Sequence, residues 1–339
     1  MSRLDRVASS GPGSRLVAEP IAGWGYRRHL VDDETPRLAY QAMRKLYGAP
    51  TTRGFDALAA RAAAEDPRLD LPGAADGIVG GQVDALVRSL EADGFALVDG
   101  RLDEPTCAEL EAVASTATCR LTDAPGGERS ARFDPDHPIA VRYDVDEQDV
   151  VDSPACQRLL ADESLLAVAQ RYLGAAPVQD LVAMWWSAAQ GTAASSAAAQ
   201  LFHFDLDRLR FVKLFVFLTD VDADTGPHVY VRGSHRDQPR SLRLDGRHLD
   251  DEVDAAFPGA ATEITGPRGT MFLADTIGMH KGLALRHGHR LVFQLEWSSS
   301  LFGAPFTRPW LRSPEEPLAG ALARFPRTYR RFRTGATGS

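Results

Sequence analysis

Apolar residues return at helical spacing through Val83, Leu86, Val87 and Leu90, and Gly94 ends the run, which predicts an amphipathic helix here. FALV (95–98) follows as a short buried strand, and DEPTCAELEAVAS (103–115) as a second helix. SPACQRLLADESLLAVAQRYLG (153–174) predicts a helix pair, entered at Ser153 and stopped near Gly174. Residues 1–75 read as a mixed helix-and-loop extension, with helical spacing in TPRLAYQAMRKLYG and FDALAARAAAED between Gly- and Pro-rich breaks. Charge and Pro dominate 120–155, where loops with short strands are expected.

From residue 177 the texture changes. VQDLVAMWWS, QLFHFDLD, FVKLFVFLTDV, HVYVRGS, GTMFLADT, KGLALR and RLVFQLEWSS are short, rich in β-branched and aromatic residues, and separated by turn residues. Such strands with no helical pattern between them predict an antiparallel sandwich or barrel, within a β-rich α+β fold. FVKLFVFL is apolar on both faces, so its sheet should be covered by the helices of the first half. The small-residue segment AAQGTAASSAAAQ (188–200) reads as a loop beside the strand that follows.

Composition narrows the class. With 339 residues, 44% hydrophobic and 25% charged, the chain is no disordered or fibrous protein. No apolar run is long enough to span a membrane, and MSRLDRVASSGPGSR lacks the apolar stretch of a secretory signal. Cys107, Cys119 and Cys156 are too few and scattered for a disulfide framework or zinc site, so small packing residues in a reducing cytoplasm are expected. A net charge of −8 argues against nucleic acid as a partner and leaves a small molecule as the expected one. All but three of the 38 basic residues are Arg, and seven of these crowd positions 308–333, which read as a solvated terminal segment. Oligomeric state has no signature in the pattern.

The chemistry concentrates in QLFHFDLD. His203 and Asp205 lie two apart on an expected strand, so they share a face and can grip one ion. Imidazole with carboxylate suits a borderline divalent metal such as ferrous iron. The same spacing recurs at His235–Asp237 and His248–Asp250, but in polar, turn-like sequence where solvated side chains are expected. His280, in GTMFLADTIGMHKGLALRHGHR, is the candidate third ligand. Beyond an expected turn at His287-Gly288-His289, Arg290 opens the apolar strand RLVFQLEW. A guanidinium there needs a counter-charge, and a dicarboxylate fits its fork; Arg286 is the weaker alternative. Lys213, among Phe and Val, is either a cofactor contact or a strand-end residue reaching water. Trp185 and Trp186 read as sheet packing, with one a possible substrate wall. His228 and His235 read as structural, Met279 as packing, and Lys281 as solvent-facing.

His203-Phe-Asp205, FLTDVDADTGPHVYVRGSHR, His280 and Arg290, in that order, resemble the phytanoyl-CoA dioxygenase family of Fe(II)/2-oxoglutarate-dependent oxygenases. The resemblance covers roughly residues 80–300 and includes the helix–strand entry at 81–115. It implies a double-stranded β-helix (jelly roll) domain over 76–304, between the extension 1–75 and an Arg-rich C-terminal segment 305–339. It further implies Fe(II) held by His203, Asp205 and His280, 2-oxoglutarate chelated to it with the distal carboxylate on Arg290, and O2 as oxidant. Ferrous iron, Asp205, the dianion and Arg290 then sum to zero charge, which a dry pocket tolerates. Hydroxylation of a small molecule with release of succinate and CO2 is the implied outcome, and Asp205, a carboxylate that halogenating relatives lack, disfavours halogenation. Two rival readings are a catalytically silent jelly-roll ligand-binding module and a cupin-type metalloenzyme that does not use 2-oxoglutarate. The second gives Arg290 no task.

Overall fold

The computed structural model describes residues 13–124, 126–190, 194–244 and 246–335. The reading of the first twelve residues, and part of the loop expected at 188–200, fall outside them. The strands of the two main sheets are β1 (Phe95–Arg101), β2 (Cys119–Thr122), β3 (Ser130–Ala131), β4 (Arg142–Asp144), β5 (Val178–Ala188), β6 (Phe211–Phe217), β7 (His228–Val231), β8 (Ala261–Ile264), β9 (Thr270–Ala274), β10 (His280–Gly282) and β11 (His289–Ser298). They form a large antiparallel sheet in the order β1-β9-β6-β11-β5-β4-β2-β3 and a small one in the order β10-β7-β8. Two antiparallel sheets, with the chain crossing between them from β6 to β7, β8 to β9 and β10 to β11, make the jelly roll.

Register assigns every side chain of the large sheet to a face. On β11 the odd residues Leu291, Phe293, Leu295 and Trp297 join the helix-side core, with Val212, Leu214 and Val216 of β6. The even residues Arg290, Val292, Gln294 and Glu296 point the other way, between the sheets. Phe215, Phe217 and Phe272 meet Val292 there in a second cluster. Every residue of FVKLFVF is therefore buried, as its two apolar faces required.

Helices α1 (Gly13–Asp32), α2 (Arg37–Tyr47) and α3 (Arg53–Ala63) build the extension, and α4 (Val83–Asp93) and α5 (Glu104–Thr116) flank β1. After α6 (Glu147–Val151), the expected pair appears as α7 (Pro154–Leu160) and α8 (Glu163–Leu173), ended by Gly174 at φ +67°. Ser153 stands at the N-cap of α7 without a side-chain cap bond, whereas Asp162 caps α8 and accepts from the amides of Ser164 and Leu165. The helix α1 was not anticipated, because Pro20, Gly23 and Gly25 interrupt its pattern. Gly25 is there for close approach: a Cβ on it would lie 2.0 Å from Ala39 Cβ of α2. Tyr26, Met43 and Phe55 of the extension share a core with Phe202, Phe204 and Met279, beside the candidate ligands.

Two expectations are corrected. QLFHFDLD is not a strand: Phe202 and His203 make single bridges to His248 and His280, and the chain then leaves the sheet. The C-terminal arginines form a solvated face only in part: Arg312, Arg324, Arg327 and Arg333 are exposed, Arg308 and Arg330 half-buried and Arg331 buried. Arg324 pairs with Glu163, Arg327 with Asp66, and fully buried Arg331 with Glu147 at 2.7 Å, clamping the last segment onto the helical layer.

Candidate metal centre

His203 and His280 exchange backbone hydrogen bonds of 3.0 and 2.9 Å, which sets the two rings side by side with centroids 4.2 Å apart. The Asp205 amide donates to Thr276 O (2.7 Å) instead of continuing that ladder, so the irregular register brings the carboxylate back beneath both rings. The sharing of a face follows the expected alternation, with Phe202, Phe204 and Leu206 turned into the core shared with the extension and His203 and Asp205 turned to the opposite side. Asp205 Oδ1 lies 3.9 Å from His203 Nε2, and Oδ2 3.6 Å from His280 Nε2. All three ligand atoms fall within 4.8 Å of one another, and among the described residues no other such cluster of His, Cys, Asp or Glu exists. Bonds of about 2.1 Å let one ion reach them all.

Protonation suits a cation. Each ring's Nδ1–H donates 2.9 Å to a backbone carbonyl, of Leu201 for His203 and of Gly278 for His280, leaving Nε2 lone pairs facing inward. Burial holds both imidazoles neutral, pushing His280 down to about 3. Burial alone would raise the Asp205 carboxyl, but Lys213, with the two histidines, outweighs it and keeps Asp205 below the usual carboxylate range. Two neutral imidazoles and one carboxylate leave open positions on a six-coordinate ion, the donor set of non-haem Fe(II).

Lys213 reaches this centre through the ligand itself: Nζ donates 2.7 Å to Asp205 Oδ2 and sits 3.4 Å from Glu296. Burial raises the Glu296 carboxyl, and Lys213 opposes that rise. Sequence reasoning missed Glu296, although i+2 alternation from Arg290 on RLVFQLEW was the signal for it.

Arg290 is buried, and among the described residues it has no carboxylate partner; its Nε is without any hydrogen bond. Burial, together with nearby Arg142, pushes it down to about 10. Its neighbour across β10 is Gly282, where a Cβ would meet Arg290 Nη2 at 3.4 Å. Arg286 is instead exposed and paired with Asp224 (2.7 Å). His235 lies against Glu91 O, and His248 against Glu252, both away from the cluster. Lys281 is a correction: it is buried, bonded to Asp250 at 2.6 and 2.8 Å and lying over Phe202. Trp186 packs in the helix-side core, stacked on Phe133, while Trp185 faces between the sheets under the Arg142 guanidinium (4.3 Å).

A cavity of about 700 Å³ opens at the β2–β4–β5 end of the large sheet, lined among others by Arg120, Arg142, Asp144, Leu181, Ala183 and Arg308 but by none of His203, Asp205, His280 or Arg290. Leu181 stands opposite Glu296 and Ala183 opposite Gln294, so its floor continues the row that carries Lys213.

A jelly roll with two imidazoles and a carboxylate at one mouth, and an unpaired guanidinium on β11, defines a non-haem metal oxygenase of the 2-oxoglutarate-dependent class. Residues 90–286, more than half of the chain, match the family model "Phytanoyl-CoA dioxygenase (PhyH)", and the chain belongs to that family. Its fold is similar to that of the non-heme alpha ketoglutarate dependent epimerase SnoN from nogalamycin biosynthesis, at 18% identity and TM-score 0.47 over 64% of this chain and 82% of that one. The carbocyclase SnoK of the same biosynthesis matches at 19% and 0.47 over 71% and 90%. HygX from Streptomyces hygroscopicus, solved with nickel, 2-oxoglutarate and hygromycin B, matches at 17% and 0.44 over 69% and 92%. No curated protein matches the chain in sequence. Among the described residues, no helix is long and apolar enough to cross a membrane.

Proposed function

We propose that this protein is an Fe(II)- and 2-oxoglutarate-dependent oxygenase that hydroxylates a small molecule. His203, Asp205 and His280 hold the iron, and Arg290 receives the distal carboxylate of 2-oxoglutarate. The observation that carries this reading is the buried Arg290 guanidinium, unpaired among the described residues and adjoining a His–Asp–His cluster. A buried unpaired charge is costly, and a dianion chelated at the cluster offsets it. When bound, iron with 2-oxoglutarate supplies the oxidation: one atom of O2 enters succinate as CO2 leaves, and the other enters a C–H bond of the substrate as hydroxyl.

The chain's own groups account for the rest. Nδ1–H bonds to Leu201 and Gly278 carbonyls fix both imidazoles with Nε2 inward. Lys213, proposed as the cofactor-side cation, holds one Asp205 oxygen and leaves the other for the metal. Burial raises the Glu296 carboxyl to about 8, so Lys213 acts first as the partner of Asp205. Phe215, Phe217 and Phe272 keep water from the inner face.

The test is anaerobic. Protein loaded with Fe(II) should take one iron per chain, and added 2-oxoglutarate should raise a visible charge-transfer band without substrate. A silent module gives neither, and a cupin-type enzyme gives iron without the band. Small-molecule pools are then screened for substrate-stimulated succinate release, and gain of one oxygen atom in the product, against loss of two hydrogens, separates hydroxylation from desaturation or ring closure.

A further inference from the structure

His228 opens β7 with its side chain between the sheets. It is 9% exposed, and its Nε2 is buried without a hydrogen-bond partner. The ring lies in an apolar slot, 5.1 Å from the Phe215 ring and 5.2 Å from Phe272, and stacks on the His280 ring at 5.5 Å and 14°. A Leu would fill such a slot without leaving a polar atom unpaired, so the imidazole is there at a cost. The strand register shows what repays it. His228 is the Cα partner of Gly282, and Gly282 is where the Arg290 guanidinium lies, 3.4 Å from the place of a Cβ. Two buried groups with unpaired nitrogens, one on β7 and one on β11, thus flank the same glycine. Gly282, which has no side chain, lets the Arg290 guanidinium approach on the face that His228 shares.

We infer that His228 is a second receptor for the distal carboxylate of 2-oxoglutarate, its Nε2–H donating to one oxygen while Arg290 takes the other, so that it selects dicarboxylate over monocarboxylate 2-oxo acids. The inference rests on the function proposed above and adds to it a specificity residue on the opposite sheet. A carboxylate accepting from an imidazole N–H and a guanidinium is held by charge-assisted bonds of the stronger kind.

The experiment compares wild type, His228→Leu and His228→Gln, each loaded anaerobically with Fe(II). Dissociation constants are read from the charge-transfer band for two probes, 2-oxoglutarate and 2-oxobutyrate, which lacks the distal carboxylate. His228→Leu should weaken 2-oxoglutarate about tenfold or more, the worth of one hydrogen bond to a charged group, and leave 2-oxobutyrate unchanged. His228→Gln, which keeps an N–H donor at similar reach, should recover most of the loss. Metal-free His228→Leu should melt above wild type, because an unpaired buried N–H is gone. An equal loss for both probes, or no loss for either, overturns the inference, as does a lower melting point of metal-free His228→Leu. Wild type that binds iron but neither probe would instead sink the proposed function itself.

Discussion

Lys213 Nζ stands 2.7 Å from Asp205 Oδ2 and 3.4 Å from Glu296, a single buried ammonium shared between a metal ligand and a second acid. Removing one partner of a buried pair leaves uncompensated charge and costs about 3–5 kcal/mol. Lys213→Met should therefore destabilise the metal-free protein by about 3 kcal/mol. Fe(II), which then becomes the counter-charge of Asp205, should raise the melting temperature of the variant more than that of wild type. Thermal melts with and without Fe(II) check both, and an unchanged metal-free melt would contradict the role of the ammonium. Asp205→Ala, in contrast, should lose iron, or retain it only with an exogenous anion in the vacated position.

Arg290→Gln separates co-substrate from metal. The guanidinium touches none of the three ligands, so iron stoichiometry should stay near wild type. The 2-oxoglutarate concentration for half-saturation should rise by about a hundredfold, as expected for loss of a bidentate charge-assisted contact in a buried site. Iron assay and anaerobic titration on the same sample read the two effects apart. Arg286→Gln, on the exposed pair with Asp224, should change neither.

Much of this centre was legible in the chain because its signals are local. His203 and Asp205 sit among strand-forming aromatics, whereas the competing His235–Asp237 and His248–Asp250 sit in turns, and the cluster formed around the first pair. The position of Arg290 at the mouth of an apolar strand was enough to foresee a guanidinium in want of an anion. What failed to show was long-range. Lys281 borders the strand end and looks solvated, yet it is drawn under Asp250 by a helix whose approach no local pattern encodes. The C-terminal arginines find their acids, among them Asp66, Glu147 and Glu163, more than a hundred residues away.

The extension should carry an acid-sensitive joint. His29 of α1 is 1% exposed, packed edge-on against Phe302, and burial, with Arg330, pushes it down to about 4. Unfolding returns it to its ordinary value near 6.5, so between those values the unfolded chain binds the extra proton and stability rises with pH. The contribution is complete above about pH 6.5 and is lost as pH falls towards 4, with a slope of at most about 1.4 kcal/mol per pH unit. His29→Leu should flatten the denaturation free energy against pH by up to one proton in that window. Parallel curves for wild type and variant would show that His29 does not titrate there.

Gly278 offers a test of how the second imidazole is aimed. A Cβ at this position would lie 2.0 Å from Tyr230 Oη, whose hydroxyl donates 2.6 Å to Asp275 O, and 2.9 Å from Ser234 Oγ. Neither neighbour is a free end: Ser234 Oγ accepts from the Met279 amide at 2.8 Å and donates to Val231 O. The Gly278 carbonyl is also the acceptor that fixes His280 Nδ1–H. Any methyl added here must therefore shift the loop that carries the acceptor, and the ring turns with it. Partners that orient a metal-bound histidine are worth about 10–100-fold in metal affinity. Gly278→Ala should weaken Fe(II) binding by that amount, and the 2-oxoglutarate band should shift or fade at iron concentrations that saturate wild type. Iron binding of wild-type strength in a folded Gly278→Ala protein would mean that the loop does not aim His280.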